Sequence, residues 1–277
     1  MPPTPATTTD PRLLRALAFE RAMHAAVGRV VTTAWGQVFL DASIGHCYER
    51  NQGWAIAEAA GIDALTLDRE LDRLFRAAGL GHRRVLAEPP AADRVGAGLV
   101  ALGYRPERHV YMSFAGAAPP PPRATVHEVG VDAVVSANDR YLRTDPDAPY
   151  GRDDAVRAHL LEHHRDYGSA GAHERRFAVL DEDGAVAAWA KLWTRDGTAQ
   201  VEDVVCLAEY RGRGYGRDVV AAATHAALAG GPELLFIVAD DDDWPKQLYE
   251  RLGYAPVGRV GVFTRHEPTH PWARPAS

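Results

Sequence analysis

The stretch VEDVVCLAEYRGRGYG, residues 201–216, decides the fold of this chain. Its first part belongs to a mostly apolar run that predicts a β-strand over residues 200–207. Its second part, Arg211-Gly212-Arg213-Gly214-Tyr215-Gly216, is called the glycine turn below. A helix is predicted soon after it, over residues 218–228. A strand that leads through glycines into a helix is typical of a phosphate-binding site.

The glycine turn suits a diphosphate for physical reasons. The first amides of a helix lack internal partners, and glycines let the backbone come close to phosphate oxygens. Arg211, Arg213 and Arg217 add guanidinium groups, whose shape matches phosphate. Two other glycine motifs are excluded. A Walker A loop requires Gly-Lys-Ser/Thr, which is absent here, and a dinucleotide fingerprint requires a third glycine at the position of Arg217. The remaining alternative is a glycine-rich connection that binds nothing.

Residues 201–216 resemble the acetyl-coenzyme A signature of the GNAT superfamily of N-acetyltransferases. That signature is Arg or Gln, two residues, Gly, one residue, then Gly or Ala, after a central strand. A second family landmark is present as Leu248-Tyr249-Glu250-Arg251-Leu252-Gly253-Tyr254. The predicted elements over residues 124–265 also follow the family order of strand, two helices, three strands, helix, strand, helix, strand.

The resemblance implies that acetyl-coenzyme A is the acyl donor and that no metal is required. The backbone of Arg211 to Gly216, with Arg217, would hold its diphosphate. The pantetheine amides would pair with the strand edge formed by Val204, Val205 and Cys206. Family members often carry an asparagine shortly before the second landmark, where this chain has residues 240–243, all aspartate. This departure leaves that contact open, and a solvated loop is the simpler interpretation.

Acetylation of an amine requires a base for the ammonium and an acid for the departing thiolate. The resemblance implies Glu202 as the base, because family members often place one on this strand. Asp203 is expected on the opposite face of a regular strand. Alternatively, Glu202 only binds a cationic acceptor or pairs with an arginine. Tyr249 is the candidate acid, unless it only packs on the sheet, and Cys206 is interpreted as a buried strand residue instead of a nucleophile.

The predicted helix at residues 153–166 carries His159-Leu160-Leu161-Glu162-His163, a pattern found in one class of zinc peptidases. No further carboxylate ligand is indicated. This helix lies where the family builds the wall of its acceptor site. A solvated helix face is therefore the default, with a polar lining of the acceptor site, to which His164 and His173 would contribute, as the alternative.

The first half of the chain carries a faint repeat of the second. Leu102-Gly103-Tyr104 and Leu252-Gly253-Tyr254 each follow a predicted helix and precede a strand. Nothing before residue 115 resembles the glycine turn. We therefore predict a degenerate copy that supports the second domain or closes its acceptor pocket, although Leu-Gly-aromatic helix ends also recur by coincidence. Candidate residues for that surface are Trp35, Tyr48, Arg50 and Trp54, with core packing as the alternative for the tryptophans.

Four prolines, residues 119–122, mark the predicted domain boundary. We predict an α/β (α+β) fold of two tandem GNAT-like domains, each a mixed twisted sheet flanked by helices. The expected limits are a disordered lead-in at 1–10, a degenerate domain at 11–115, a linker at 116–123, an acetyl-coenzyme A domain at 124–265, and a flexible tail at 266–277.

Composition limits the remaining possibilities. The 277 residues include 46% hydrophobic and 25% charged residues, with a net charge of −6 and two cysteines. The negative charge and the lack of a Lys/Arg-rich run predict no affinity for nucleic acid, and the lack of an apolar run of 18 residues predicts no membrane partner. The two widely separated cysteines suit the cytoplasm, and we expect a monomer or weak dimer. We expect an N-acetyltransferase that acts on a primary amine of a small molecule by direct attack in a ternary complex. The alternative is a non-catalytic acyl-coenzyme A sensor of the same fold.

Overall fold

One central β-sheet organises the chain. The structure, a computed structural model, describes residues 9–57, 61–166 and 171–267, so most of the expected lead-in and tail lies outside the described residues. The first half contains α1 (Pro11–Val27), β1 (Arg29–Thr33), β2 (Gly36–Leu40), β3 (Gln52–Ala55), α2 (Ala64–Ala77), β4 (His82–Ala87), α3 (Ala91–Ala101) and β5 (Arg105–Phe114). The second half contains β6 (Val126–Glu128), α4 (Val131–Thr144), α5 (Asp154–Asp166), β7 (His173–Leu180), β8 (Val186–Arg195), β9 (Thr198–Cys206), α6 (Tyr215–Ala229), β10 (Leu234–Asp240), α7 (Pro245–Arg251) and β11 (Tyr254–His266).

The helices begin where short polar side chains can satisfy free backbone amides. Asp10 caps α1, because its carboxylate accepts a hydrogen bond from the amide of Arg12 at 2.8 Å. Asp63 caps α2 in the same way through the amide of Thr66 at 2.8 Å. The buried apolar residues of α2 recur at helical spacing and attach it to the sheet.

The eleven strands form one mixed sheet in the order β1-β2-β3-β4-β11-β5-β10-β9-β8-β7-β6. This order confirms the predicted α/β class, with a twisted mixed sheet flanked by helices. Residues 29–40 form a hairpin, β1 and β2, that turns before Gly36. Strand β3 was not predicted, because its four residues are too few to show a periodic pattern.

The two halves exchange their last strands. Strand β5, the last strand of the first half, pairs with β10 of the second half. Strand β11, the last strand of the second half, pairs with β4 of the first half. The two exchanged strands also pair with each other, from Tyr254 opposite Phe114 to Thr264 opposite Arg105. A parallel pair followed by an antiparallel strand therefore occurs twice, as β3-β4-β11 and β9-β10-β5. The sheet runs without interruption across the expected linker, and the expected domain limits stay a prediction.

Helices cover both faces of the sheet. Helices α6 and α7 pack on one face of the second half, and α2 and α3 continue that layer over the first half. Helix α1 lies on the opposite face across the exchanged strands, beside a layer formed by α4. Within the described ranges, every helix is too short or too polar to span a bilayer.

Candidate functional site

The central strands β9 and β10 separate at the predicted cofactor edge. Their parallel pairing runs from Thr198 opposite Leu234 to Val201 opposite Ile237 and ends there. Strand β9 continues to Cys206, so its last five residues have no partner on the β10 side. The backbone edge predicted to pair with pantetheine amides, at Val204, Val205 and Cys206, lies in this opening.

The glycine turn lies at the end of this opening and leads into α6. Gly212 and Gly214 have φ of +80° and +85°, a conformation that a residue with a Cβ adopts only with strain. No heavy atom lies within 4 Å of the Cβ position of either glycine, so the space beside the turn is open. Gly214 is the N-cap of α6, and no side chain caps this end of the helix. The turn therefore offers free backbone amides to an anion.

The arginine side chains of the turn are held by groups of the protein itself. Arg211 forms ion pairs with Asp145 at 2.6 Å and Asp147 at 2.9 Å. Arg217 contacts Asp218 and the carbonyl oxygen of Pro120 at 3.1 Å. In this arrangement the backbone, more than the guanidinium groups, forms the anion-binding surface.

A β-bulge changes the direction of two acidic side chains. The pairing of β8 with β9 shifts between Trp189 opposite Val205 and Lys191 opposite Glu202. Asp203 lies in this bulge with φ of +53°. Glu202 and Asp203 consequently line the same cavity. The expectation that Asp203 faces away from Glu202 is wrong, because it assumed the alternation of a regular strand.

Glu202 occupies an environment that disfavours its charge. Burial raises the pKa of Glu202 well above its ordinary value, and the negative charges of Glu49 and Glu20 raise it further. Its carboxylate accepts a hydrogen bond from Gln200 Nε2 at 2.8 Å. Among the described residues Glu202 forms no ion pair, in contrast to the alternative of a structural pair with an arginine. A carboxylate of this kind accepts a proton near neutral pH more readily than an exposed one.

Asp203 instead belongs to a buried ionic cluster. Its Oδ2 lies 3.2 Å from Lys191 Nζ, 3.3 Å from His164 Nδ1 and 3.0 Å from Trp189 Nε1. Although burial acts in the opposite direction, the charge of Lys191 lowers the pKa of Asp203 far below its ordinary value. Burial lowers the pKa of His164 to about 4, so this histidine is neutral near pH 7. The cluster holds the bulge in place.

A cavity of about 1250 Å³ lies above Glu202, and both halves of the chain build it. The second half contributes α4, α5 and the strand ends, and the first half contributes the loop around residues 46–49 and Arg84 on β4. Tyr48 lines this cavity, as one prediction for the first half proposed. Arg50, Trp35 and Trp54 are buried, although Trp54 also borders a smaller cavity. Glu49, Arg84 and Lys191 were not predicted, because no local pattern relates them to residue 202.

Tyr249 lies on α7 in the core beneath the opening. Its side chain is 6% exposed, and its ring lies edge-on to Tyr254 at 6.5 Å between centroids. Burial raises the pKa of Tyr249, and the charge of Glu202 raises it further. Tyr249 lines neither of the two cavities that Glu202 lines. The hydroxyl keeps its proton at neutral pH, as a proton donor requires.

The histidine pattern on α5 contacts residues of the first half of the chain. His159 Nδ1 lies 3.0 Å from His46 Nδ1, and His163 Nε2 lies 3.7 Å from Glu49. His163 and His164 line the large cavity, whereas His173 is exposed at the start of β7. Within residues 9–57, 61–166 and 171–267, no three side chains are arranged to hold a metal ion.

Cys206 and the acidic loop at residues 240–243 both make contacts that stabilise the fold. Cys206 packs against the core of the second half, and burial raises the pKa of its thiol, which disfavours a nucleophilic thiolate. Asp241, in the acidic loop expected to be solvated, is buried and paired with Arg259 at 2.8 Å and Lys246 at 3.2 Å. It connects β10 to α7 and β11.

In the described residues of the first half, the parallel strands β3 and β4 form no corresponding opening. Strands β3 and β4 stay paired to Ala55 opposite Ala87, and the amide of Glu88 bonds Ala55 beyond them at 2.9 Å. The Glu88 carboxylate fills the space after the strands, where it accepts hydrogen bonds from Trp54 Nε1 at 2.7 Å and the amide of Ala57 at 3.3 Å. Among the described residues, the end of β3 and β4 therefore leaves no free strand edge at this position.

Comparisons with known proteins agree with this geometry. The family model of the acetyltransferase (GNAT) family matches residues 138–254, which include the opening, the glycine turn and Tyr249. No curated protein matches the chain.

Solved structures share the fold at low sequence identity. A protein of unknown function from Staphylococcus epidermidis has a TM-score of 0.67 at 12% identity, covering 87% of this chain and 95% of that one. A GCN5-related N-acetyltransferase from Kribbella flavida has a TM-score of 0.58 at 17% identity, covering 95% and 98%. A tandem GNAT protein from the clavulanic acid biosynthesis pathway has a TM-score of 0.50 at 16% identity, covering 72% and 68%. The fold with two GNAT-like domains, as predicted, is confirmed.

Proposed function

We propose that the chain is an N-acetyltransferase, because its residues 138–254 match the family model of the acetyltransferase (GNAT) family. In this proposal acetyl-coenzyme A is the donor, and a primary amine of a small molecule is the acceptor. The two substrates meet in a ternary complex, and the amine attacks the thioester carbonyl directly. No covalent intermediate on the protein is needed.

The observation that supports the proposal is the convergence of three features at one end of β9. The free strand edge at residues 204–206 can pair with the amides of a pantetheine arm. The glycine turn can hold a diphosphate at the N-terminus of α6. Glu202 lies just before this edge and lines the large cavity. A thioester placed along the opening would therefore meet an acceptor that enters through the cavity.

Glu202 is the proposed general base. It takes the proton that the acceptor ammonium must lose, and its raised pKa makes it a suitable acceptor at neutral pH. The free amine then forms a bond to the carbonyl carbon as the carbon–sulfur bond breaks. Most of the rate enhancement beyond proton transfer comes from holding both substrates in this geometry.

Tyr249 is the proposed general acid. Its hydroxyl gives a proton to the departing sulfur, which leaves as the thiol of coenzyme A, and the transferred acetyl group ends as an amide. The tyrosinate regains a proton from solvent or from Glu202 before the next cycle. Because burial and the charge of Glu202 both raise the pKa of Tyr249, its ionised form is short-lived.

Only the second half is proposed to bind the donor. The closed strand ends at Glu88 support this assignment. Cys47 and Cys206 are free thiols, which fits the reducing conditions of the cytoplasm, where we place the protein. We propose a monomer or weak dimer, since the two halves already pair within one chain.

The experiment is turnover of acetyl-coenzyme A against a library of primary amines, with detection of product mass. We expect transfer to at least one amine and a fall in kcat of about 10²–10⁴-fold in Glu202→Gln. Tyr249→Phe should also lower kcat with little effect on donor affinity. The control is Glu182→Gln, an exposed glutamate in the turn between β7 and β8 and outside the cavity, which should keep wild-type turnover. Tight donor binding with transfer to no amine would favour the non-catalytic sensor instead.

A further inference from the structure

Three charged side chains line the place where the large cavity joins a smaller one of about 180 Å³, which is called the junction below. Glu49, Arg84 and Glu202 line both cavities. Glu49 follows a 3-10 turn of the first half, Arg84 lies on β4, and Glu202 lies on β9. Two of the three groups therefore come from the half without a donor site.

Arg84 has no ionic partner in the described part of the chain. Its guanidinium makes two long hydrogen bonds to neutral groups, 3.4 Å to Gln52 Oε1 and 3.4 Å to Thr264 Oγ1. Burial lowers the pKa of its neighbours His24 and His109 to about 3 and about 4, so both are neutral near pH 7. A partly buried arginine with only two long hydrogen bonds to neutral groups is suited to a carboxylate or phosphate group.

The two glutamates form the acidic side of the same junction. The nearest basic group to Glu49 among its ion pairs is His163 at 3.7 Å, and burial lowers the pKa of that histidine well below its ordinary value. Burial raises the pKa of Glu49 and the charges of Arg84 and Lys191 lower it, but neither glutamate forms an ion pair with an arginine or lysine among the described residues. Gln200, 1% exposed, lines the smaller cavity, and its Oε1 has no hydrogen-bond partner among the described residues. An ammonium group would satisfy the carboxylates and supply a donor for this oxygen.

The other charged side chains of the large cavity are already paired. Lys191 is held by Asp203 and His164. Arg265 pairs with Asp68 at 2.8 Å and lies over the ring of Tyr104. Arg105 and Glu107 lie 3.8 Å apart. Only the junction thus combines unpaired charges of both signs among the described cavity residues.

We infer that the acceptor is a small amino acid, bound with its ammonium between Glu49 and Glu202 and its acidic group on Arg84. The inference rests on the proposed acetyl transfer and names the acceptor class for that same site. It also gives the first half a function, since that half supplies the anion-binding arginine and one of the two carboxylates. The acidic group is a carboxylate or a phosphonate-like oxyanion, because a guanidinium binds either one.

The test compares matched acceptors that differ only in the acidic group. A series of small amino acids is assayed, each together with its carboxamide and with the aminophosphonic acid that has the same side chain. Detection of product mass gives kcat/KM for every acceptor. We expect kcat/KM for the acid to exceed that for the carboxamide by at least about 30-fold, because the carboxamide leaves the charge of Arg84 unpaired. Arg84→Gln should remove that preference, and a melting temperature close to that of wild type would show that the variant is folded. Arg84→Lys should restore part of the preference, and Arg105→Gln serves as a control that keeps it.

Each outcome separates the inference from the function beneath it. Equal rates for acid and carboxamide, or a preference that survives in Arg84→Gln, would overturn the acceptor class while acetyl transfer stands. Transfer to other amines but to none of the three matched forms would also overturn the acceptor class while acetyl transfer stands. Transfer to no amine at all would overturn the proposed function itself. Among positive results, the aminophosphonic acid decides which of the two oxyanions the site prefers.

Discussion

Glu202 combines a proposed catalytic role with a cost in stability. Because folding raises its pKa, the native state binds this proton more tightly than the unfolded chain does. The free energy of unfolding therefore falls as the pH rises from the ordinary glutamate pKa of 4.5 through the folded pKa. Active sites commonly hold such groups, since the environment that tunes the base also disfavours its charge.

Glu202→Gln should consequently stabilise the protein while it lowers turnover. The neutral side chain keeps the acceptor for the Gln200 hydrogen bond and removes a buried negative charge beside Glu49 and Glu20. We expect a higher melting temperature than wild type at pH 7.5 and a difference that vanishes as the pH approaches 4.5. Thermal unfolding over this pH range checks it, with Glu182→Gln as the exposed control. A wild-type protein that gains stability relative to the variant with rising pH would contradict the assignment.

At the level of secondary structure, the bulge in β9 depends on its ionic cluster. Asp203→Asn keeps a residue type that tolerates positive φ but removes the charge next to Lys191, which is 2% exposed. An uncompensated buried cation costs about 3–5 kcal/mol, and the lower end applies because Asp203 is partly exposed. The double variant Lys191→Met with Asp203→Asn should recover most of this loss.

Denaturation by urea measures these changes in the free energy of unfolding. Asp196 is a matched control, because it also has positive φ, 47°, and pairs with Arg195 at an exposed position. Asp196→Asn should change the free energy by less than about 0.5 kcal/mol. If Asp203→Asn is as stable as Asp196→Asn, the cluster does not stabilise the bulge.

The exchanged strands should make the whole molecule unfold as one unit. Neither half keeps its own last strand, since β5 lies beside β10 and β11 lies beside β4. Leu71→Ala opens a cavity in the buried core of the first half and should cost about 2–5 kcal/mol. We expect faster hydrogen exchange in β8 and β9 of the second half as well, because they lose protection through the same global unfolding.

The control for this prediction is Leu65→Ala on the same helix, at a position that is 44% exposed. It should leave exchange in both halves nearly unchanged. Faster exchange confined to residues 11–115 in Leu71→Ala would mean that the halves unfold independently.

Local signals made the donor side of the site predictable. The glycine turn, the helix behind it and Tyr249 are written in short motifs, and the turn takes the positive φ that its glycines permit. The proposed acceptor side depends on residues that are distant in sequence but line one cavity, such as Glu49, Arg84 and Glu202, and no local pattern records this arrangement. The strand exchange was not predicted for the same reason, since it pairs strands that are distant in sequence. The direction of Asp203 was predicted wrongly because this residue lies in a β-bulge, where the alternation of a regular strand does not hold.

The most direct test is calorimetric titration of acetyl-coenzyme A into the protein and two glycine variants. Gly214→Glu places bulk and a negative charge at the proposed diphosphate site, whereas Gly184→Glu does the same in the hairpin turn between β7 and β8. Both glycines have positive φ and open space around them, so the backbone strain is matched. We predict that wild type and Gly184→Glu bind with similar Kd and that Gly214→Glu shows no binding. Equal affinity in the two variants, or no binding by wild type, would contradict a donor site at the glycine turn.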